Sequence, residues 1–235
     1  MHPGVWLAFG DLGGEDFWRN KGRVVHRRFV QEPKNDGRRG RFVVENDYIT
    51  HDDRTLCREQ SCWSVAVEPS GWWLVYDGKF TALVDDLAFG DQEEMGLGVR
   101  LATPLTVAKG GAIRDSAGRQ NEKGVWGKQA DWCDYGGTVD GRRIGLAVVP
   151  HRENFGASWF HVRDYELMVA NPFGRNAFTR GETSRVAVPR DKPLRLRFAL
   201  FVYDTAAEQP PDVAKAYAAL ADRPATEPGP PVATP

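Results

Sequence analysis

The sequence predicts an all-β protein, built as an antiparallel β-sandwich with one C-terminal helix. Short stretches of alternating apolar and polar residues recur along the chain, and turns rich in glycine and proline separate them. Only one segment has convincing helical spacing. Residues 212–220 begin with an aspartate after Pro210 and Pro211 and place apolar residues three and four positions apart. This combination is typical of a sandwich with a late helix.

The clearest strand pattern lies between residues 61 and 76. Trp63, Val65 and Val67 share one face of a predicted strand, residues 68–71 are typical of a turn, and residues 72–76 return as the hairpin partner. We predict further turns at Asp77-Gly78 and at Gly136-Gly137, the second at the end of a strand. Other predicted strands cover residues 5–9, 41–50, 80–89, 95–105, 143–149, 183–188 and 194–203.

No linker or internal repeat divides the chain, so we predict a single domain over residues 1–222 and a disordered Pro-rich tail over 223–235. The net charge of −1 is spread over interspersed acidic and basic residues, which argues against a nucleic-acid partner. No apolar run reaches the length of a membrane span, and no N-terminal signal pattern is present. Three widely spaced cysteines are not a disulfide framework, so we expect reduced thiols and a cytoplasmic protein.

Candidate functional residues concentrate between residues 126 and 173. His151 and His161 lie ten residues apart, on either side of one turn, and such residues can face each other across a hairpin. Imidazole titrates near neutrality, so the pair can act as general acid and base. Together with Asp134 or Glu153, the same pair can bind a divalent metal. Both interpretations stay open at this point.

The alternation of residues 159–165 places His161 and Arg163 on one face of a strand, with Asp164 on the other. Arginine can hold a carboxylate or a hydroxyl group through two hydrogen bonds, and the face of a tryptophan ring suits a sugar. The candidate catalytic residues are His151, His161, Asp134, Tyr135 and His26. The candidate substrate-binding residues are Arg163, Trp159, Trp18, Asn154, Asn171, His2 and Asp16. We expect Asp134 to orient one of the histidines and Tyr135 to be a reserve proton donor.

Several motifs, in order from residue 2 to about residue 203, resemble the DUF6807 family. They are HPGVWLAFGD at 2–11, DFWR at 16–19, EMGLGVR at 94–100, WCDYGG at 132–137, His151 with Asn154, WFHVRDY at 159–165 and NPFG at 171–174. Proteins of this family are often labelled "methane oxygenase PmoA". A membrane methane monooxygenase subunit needs long apolar helices, which this sequence lacks. The resemblance implies instead a β-sandwich similar to galactose mutarotase-like and polysaccharide-lyase proteins, often encoded beside sugar-metabolism genes.

Family members usually carry additional strands before the His-Pro-Gly motif, whereas this chain starts at it. Either this is a compact variant or the start has been trimmed. A trimmed start would leave an edge of the sandwich open, which invites pairing with another chain, so a homo-oligomer is one expectation. For function we expect a carbohydrate-active enzyme of the glycoside hydrolase, lyase or epimerase type, acting on a sugar or oligosaccharide by His/Asp acid–base chemistry. A hydrolase usually needs two carboxylates, whereas a lyase or epimerase can use histidine and tyrosine. The alternatives are a non-catalytic carbohydrate-binding module and a metal-dependent enzyme with a His/Asp site; otherwise no cofactor is expected.

Overall fold

Two antiparallel β-sheets face each other across an apolar core in the computed structural model, which describes residues 4–208 and 211–221, the last three as backbone only. The predicted fold class is therefore confirmed. The eight-stranded sheet has the order β2-β3-β4-β5-β15-β11-β10-β8, and the five-stranded sheet has the order β1-β7-β13-β12-β9. The two short strands β14 and β6 pair with each other.

In chain order, the described strands are β1 (Gly4–Phe9), β2 (Arg23–Asn35), β3 (Arg39–Ile49), β4 (Thr55–Glu68), β5 (Gly71–Ala82), β6 (Ala88–Phe89), β7 (Met95–Arg100), β8 (Ala112–Asp115), β9 (Lys128–Gln129), β10 (Cys133–Val139), β11 (Arg142–Pro150), β12 (Trp159–Val162), β13 (Leu167–Asn171), β14 (Val186–Ala187) and β15 (Leu194–Ala206). The helices are α1 (Asn121–Val125), α2 (Arg175–Thr179) and α3 (Val213–Ala221). Two 3-10 turns cover Thr103–Leu105 and Val107–Lys109.

The structure confirms the hairpin of β4 and β5, in which Glu68 pairs with Gly71. It also confirms the C-terminal helix, because the backbone N–H of Lys215 donates to Asp212 Oδ1 at 2.9 Å and so caps α3. Helices α1 and α2, of five residues each, were not predicted, since single turns are too short to show a helical period. The predicted tail 223–235 lies outside the described residues.

Both predicted glycine turns are wrong, because each glycine lies within a strand beneath a tyrosine. Strand β5 continues through Asp77 and Gly78, and a methyl group at Gly78 would overlap the ring of Tyr76. Strand β10 continues through Gly136, which pairs with Gly145 on β11. The hydroxyl group of Tyr203 lies over both of these glycines. Glycine here makes room for an aromatic ring rather than for a reversal of the chain.

Alternation along the strands gives each sheet an inner and an outer face. In the five-stranded sheet, Phe160 and Met168 join the core between the sheets, so the residues next to them point outward. On the outer face of the eight-stranded sheet, Trp73 and Phe201 pack in a second apolar cluster with Val213 of α3. The three cysteines are buried and free. Within the described residues, no helix is long and apolar enough to cross a membrane.

Candidate functional site

A cleft of about 430 Å³ lies on the outer face of the five-stranded sheet, and we name it the small-sheet cleft. Charged and aromatic side chains from two strands, β7 and β12, and from three loops line it: Trp18, Arg19, Glu93, Glu94, Arg100, His161, Arg163 and Tyr165. Three of these residues were candidates from the sequence, namely Trp18, His161 and Arg163. The structure therefore brings together residues that are more than 140 positions apart in the chain.

Strand register places two of the lining residues, His161 and Trp18, over one row of the five-stranded sheet. His161 pairs with Val169, Val169 pairs with Gly98, and Gly98 pairs with Trp6, so these four residues form one row across the outer face. A methyl group at Gly98 would overlap the indole ring of Trp6, which means that the ring lies directly over the glycine. Trp18 packs edge-on against Trp6, with ring centroids 5.6 Å apart. Glycine on β7 thus makes room for the Trp6 ring, against which the lining residue Trp18 packs.

His161 is buried to 4% exposure, and its Nδ1 lies 3.2 Å from the backbone carbonyl of Glu93. A carbonyl oxygen only accepts, so Nδ1 carries the proton and Nε2 keeps a lone pair. Burial, and next the positive charge of Arg163, lower the pKa of His161 to about 4. Near neutral pH the ring is therefore an uncharged base whose tautomer is fixed by the backbone.

Arg163 lies beside this base and is held from three sides. Its guanidinium is 3.2 Å from Glu122 and 3.7 Å from Glu93, and it lies over the ring of Trp126 at 5.7 Å. Behind Trp126, Phe178 also contacts His161. Arg163 therefore presents a fixed positive charge close enough to the His161 ring to lower its pKa.

On the opposite side of the cleft, Asp16 orients Arg19. The Asp16 carboxylate accepts from the backbone N–H of Arg19 at 2.9 Å and from its guanidinium at 3.1 Å. Arg19 also pairs with Glu94. Further along, Arg100 lies 3.7 Å from Glu166. The cleft wall thus alternates guanidinium donors with carboxylate acceptors, and the candidate Asp16 acts through Arg19.

Two candidates position the cleft rather than lining it. Asn171 is fully buried; its amide N–H groups donate to the carbonyls of Gln92 at 2.7 Å and Glu93 at 3.1 Å, and its oxygen accepts from two backbone N–H groups. The Tyr135 hydroxyl donates to the Asp164 carbonyl at 2.7 Å and accepts from the Glu166 N–H at 3.2 Å. These bonds use the polar atoms that a substrate or a proton transfer would need.

Comparison with protein families agrees with this placement of the motifs. A family model matches residues 1–218, which is most of the chain. The chain belongs to the DUF6807 family. This family is described as one of unknown function. No curated protein matches the chain. The motif-based resemblance is therefore confirmed at the level of the family, while no named relative carries the "methane oxygenase" label to it.

The remaining candidates of this DUF6807 chain lie away from the small-sheet cleft. The prediction that His151 and His161 face each other across a hairpin is wrong, because β11 pairs with β10 and β15, whereas β12 pairs with β13 and β9. His151 lies at the end of β11, in the eight-stranded sheet. The side chain of Asn154 binds the backbone N–H and carbonyl of Arg197 at 2.8 and 2.9 Å, and so fixes the loop after His151.

His26 is exposed on the edge strand β2, where its ring contacts Phe29. Trp159 stacks on Phe178 and pairs with Asn171 on β13. His2 lies outside the described residues. In the part of the chain that the structure describes, neither His26 nor Trp159 supplies a proton donor or acceptor to His161.

Asp134 does not orient a histidine, which corrects the sequence-based expectation. It lies on the outer face of the eight-stranded sheet, where its carboxyl group accepts from the Tyr203 hydroxyl at 2.8 Å. Burial raises the pKa of Asp134 to about 6, although the Tyr203 hydrogen bond opposes the shift. Asp134 of the WCDYGG motif therefore forms a buried pair with Tyr203. The Tyr203 hydroxyl group lies over two glycines, Gly136 of the same motif and Gly145 of β11.

This pair gives a prediction for Asp134→Asn. The folded state holds the proton more tightly than the unfolded state, so the free energy of unfolding falls as pH rises from about 4 to about 6. Asparagine still accepts from Tyr203 and carries no charge. We expect the variant to be more stable at about pH 7, by about 1–3 kcal/mol, and the difference to vanish below about pH 4. Urea unfolding at both pH values measures this.

Asp191→Asn is the matched control, since Asp191 is exposed and its change is expected to stay within about 0.5 kcal/mol. A less stable Asp134→Asn protein at pH 7 would show that attraction to nearby Arg143 and Arg114 outweighs the burial of the charge.

Five of the eight charged and aromatic residues of the small-sheet cleft were missed by the candidate selection: Arg19, Glu93, Glu94, Arg100 and Tyr165. Four of them stand in motifs that carry the family resemblance, and that was the available signal. Glu93 directly precedes the EMGLGVR motif and shows no local pattern. Among the described residues, no group of three or more His, Cys, Asp or Glu side chains is arranged to hold a metal ion. Within the cleft, His161 and Glu93 are the neighbouring pair of metal-ligand type, at 3.8 Å.

Proposed function

We propose that the chain is a carbohydrate-active enzyme of the lyase or epimerase type, with His161 in the small-sheet cleft as its general base. The observation that supports this proposal is the state of the His161 ring. The ring is uncharged, the Glu93 carbonyl fixes its proton on Nδ1, and Nε2 keeps a lone pair that can accept a proton. In this proposal Nε2 takes a proton from a sugar carbon next to a carboxylate or carbonyl group. Arg163 then stabilises the negative charge that develops.

The chemistry of the cleft wall supports a sugar as the ligand. Hydroxyl groups donate and accept, and the ion pairs of Arg19 with Glu94 and of Arg163 with Glu93 offer both kinds of partner side by side. We assign stacking against the sugar ring to Tyr165 rather than to the tryptophans. Trp18 is only 8% exposed and leaves little ring surface for a ligand, whereas Tyr165 is 58% exposed.

Elimination or epimerisation suits this cleft better than hydrolysis. A glycosidase needs one carboxylic acid that keeps its proton to give to the leaving group. In the small-sheet cleft Glu94 is paired with Arg19 and Glu93 with Arg163, so neither carboxyl group is left unpaired for a leaving group. In a lyase, the electrons of the broken C–H bond form a C=C bond while the C–O bond to the leaving group breaks, and the departing oxygen takes the proton that Nε2 removed. In an epimerase, a proton from water adds to the other face of the same carbon, and Nε2 releases the removed proton to water.

The test is a panel of neutral and uronic-acid oligosaccharides, followed by proton NMR for vinylic or inverted ring signals. Gly98→Leu is the blocking variant, because its side chain displaces the Trp6 ring and with it Trp18, which lines the cleft. We expect at least a tenfold loss of sugar affinity and of conversion. Gly156→Leu is the matched control, since a side chain there meets no atom within 4 Å. Equal loss in both variants, or no loss in either, would contradict the proposal.

One observation favours a second function, a non-catalytic sugar-binding module. Every carboxylate of the cleft wall is paired with an arginine, an arrangement that binds hydroxyl groups without any proton transfer. Sugar affinity without conversion across the whole panel would support this function. A metal-dependent enzyme is the third alternative. It would be supported if elemental analysis of the purified protein found about one transition-metal ion per chain.

A further inference from the structure

The charged side chains of the small-sheet cleft form two layers. The first layer lines the cleft and holds three arginines and two glutamates: Arg19, Arg100, Arg163, Glu93 and Glu94. His161 is uncharged near neutral pH and adds nothing to this sum. By itself the lining is therefore slightly cationic. Each of its arginines, however, also contacts a carboxylate that stands behind the lining.

These further carboxylates form the second layer. They are Asp16 against Arg19, Glu122 against Arg163 and Glu166 against Arg100, with N–O distances of 3.1, 3.2 and 3.7 Å. Their side chains are only 14 to 36% exposed, so water screens their charge in part. Five carboxylates thus stand against three guanidinium groups in the two layers. The charge that a ligand meets in the cleft is net negative.

The surroundings of Arg163 show what an ionised sugar carboxylate would encounter. Glu122 and Glu93 lie beside its guanidinium, and the ring of Trp126 covers one face. A guanidinium binds a carboxylate best through two parallel hydrogen bonds. A uronate could form this pair with Arg163 only by displacing a glutamate, which would then stay close by as a like charge. An uncharged carbonyl oxygen needs a single donor and displaces nothing.

The proton transfer also favours an uncharged group on the substrate. When Nε2 of His161 takes a proton from a carbon beside a ketone, aldehyde or ester, the electron pair of the C–H bond moves onto the carbonyl oxygen. The enolate then carries one negative charge, whereas the same step beside an ionised carboxylate produces two. A C–H bond next to an uncharged carbonyl group is also the more acidic one. This matches His161, because a pKa lowered to about 4 makes the ring a weak base.

We propose that the small-sheet cleft takes a sugar whose reacting carbon lies next to an uncharged carbonyl group, and that it discriminates against the uronate form. The class of substrate is a keto sugar or the ester of a uronic acid. This inference deepens the proposed function and rests on it, since His161 remains the base. It makes Glu122 a specificity-determining residue, because the Glu122 carboxylate occupies the guanidinium group that a uronate would need.

Uronic-acid trisaccharides and their methyl esters test this charge preference, because the two members of a pair differ in charge at the carbon that reacts. Galacturonate, glucuronate and mannuronate supply pairs of different ring stereochemistry. Isothermal titration of the full chain at about pH 6 measures affinity, and proton NMR measures conversion. We expect the ester of at least one pair to bind about tenfold more tightly than its acid, and only esters to be converted. The preference should shrink at about 0.5 M salt, which screens the carboxylates.

Glu122→Gln removes one of the opposing charges. The amide oxygen can still accept from the Asp164 N–H, as the Glu122 carboxylate does at 3.1 Å. We expect the ratio of acid affinity to ester affinity to rise about tenfold. Glu182→Gln is the matched control, because Glu182 also pairs with an arginine, Arg175 at 3.0 Å, but lies outside the cleft. Its affinity ratio should equal that of the wild type, and thermal midpoints verify that both variants are folded.

The inference and the proposed function fail on different results. Acids that bind or react better than their esters, no binding by any pair, or an unchanged affinity ratio in a folded Glu122→Gln protein would each overturn the inference. Preferred acids that are converted would still leave His161 as the base. Esters that bind more tightly than acids but are never converted would support the charge preference and contradict the base.

Discussion

His161→Asn is expected to reduce sugar conversion by about 10²–10⁴-fold while the protein stays folded. The asparagine amide nitrogen stands close to the place of Nδ1 and can still donate to the Glu93 carbonyl, so the local backbone keeps its partner. The variant has no group at the place of Nε2 that can accept a proton. Turnover of whichever sugar of the panel is converted measures the loss, and ligand affinity should change by less than tenfold.

His26→Asn is the matched control, because His26 is exposed on an edge strand outside the small-sheet cleft. It should convert the sugar at the wild-type rate. Unchanged turnover in His161→Asn would remove the general base from the proposed mechanism. A loss of affinity as large as the loss of turnover would show instead that His161 binds the ligand and transfers no proton.

The pH dependence of the wild type follows from the same residue. A general base works only when it is unprotonated, and the pKa of His161 is lowered to about 4. As pH falls, kcat/KM is therefore expected to stay level to about pH 5 and to decline with a midpoint near 4. A midpoint close to 6.5, the ordinary value for histidine, would mean that another and more exposed group is the base.

His161 and Arg163 could be found from the sequence because their relation is local. Alternation within one strand places residues two positions apart on the same face, and both side chains do line the small-sheet cleft. Asp164, expected on the other side, accepts from the Glu122 N–H at 2.9 Å. For the same reason the hairpin of β4 and β5 and the capped helix α3 were predicted correctly.

The partner of His161 could not be found in this way. Between β11 and β12 the chain leaves the eight-stranded sheet and enters the five-stranded one, and alternation is the same in both sheets. Nothing local therefore shows that His151 and His161 end on opposite faces. Glu93 reaches His161 from 68 residues away in the chain, through loop contacts that leave no periodic signal. The family motifs mark Arg19, Glu94 and Arg100, but they do not say which of the motif residues touch a ligand.

Asn171→Ala is expected to lower the free energy of unfolding by about 3 kcal/mol. The amide of Asn171 makes four hydrogen bonds to backbone groups, and alanine leaves the Gln92 carbonyl and the N–H groups of Phe173 and Gly174 without that partner. Each buried polar group that loses its partner costs about 1–3 kcal/mol. Urea unfolding at pH 7 measures the change.

The same substitution links the fold to the small-sheet cleft. Asn171 ties the segment with Glu93 to the end of β13, so its loss should also free the carbonyl that fixes the His161 tautomer. Asn176→Ala is the matched control, since Asn176 is exposed and its side chain bonds one carbonyl, that of Gly181; it should cost less than about 1 kcal/mol. If both variants lose equally little stability, water replaces the Asn171 amide, and the cleft is held by strand pairing alone. Asn171→Ala can also lose stability and keep the wild-type pH midpoint of conversion. That result would mean that the burial of His161, and not its hydrogen bond to Glu93, determines the pKa of the base.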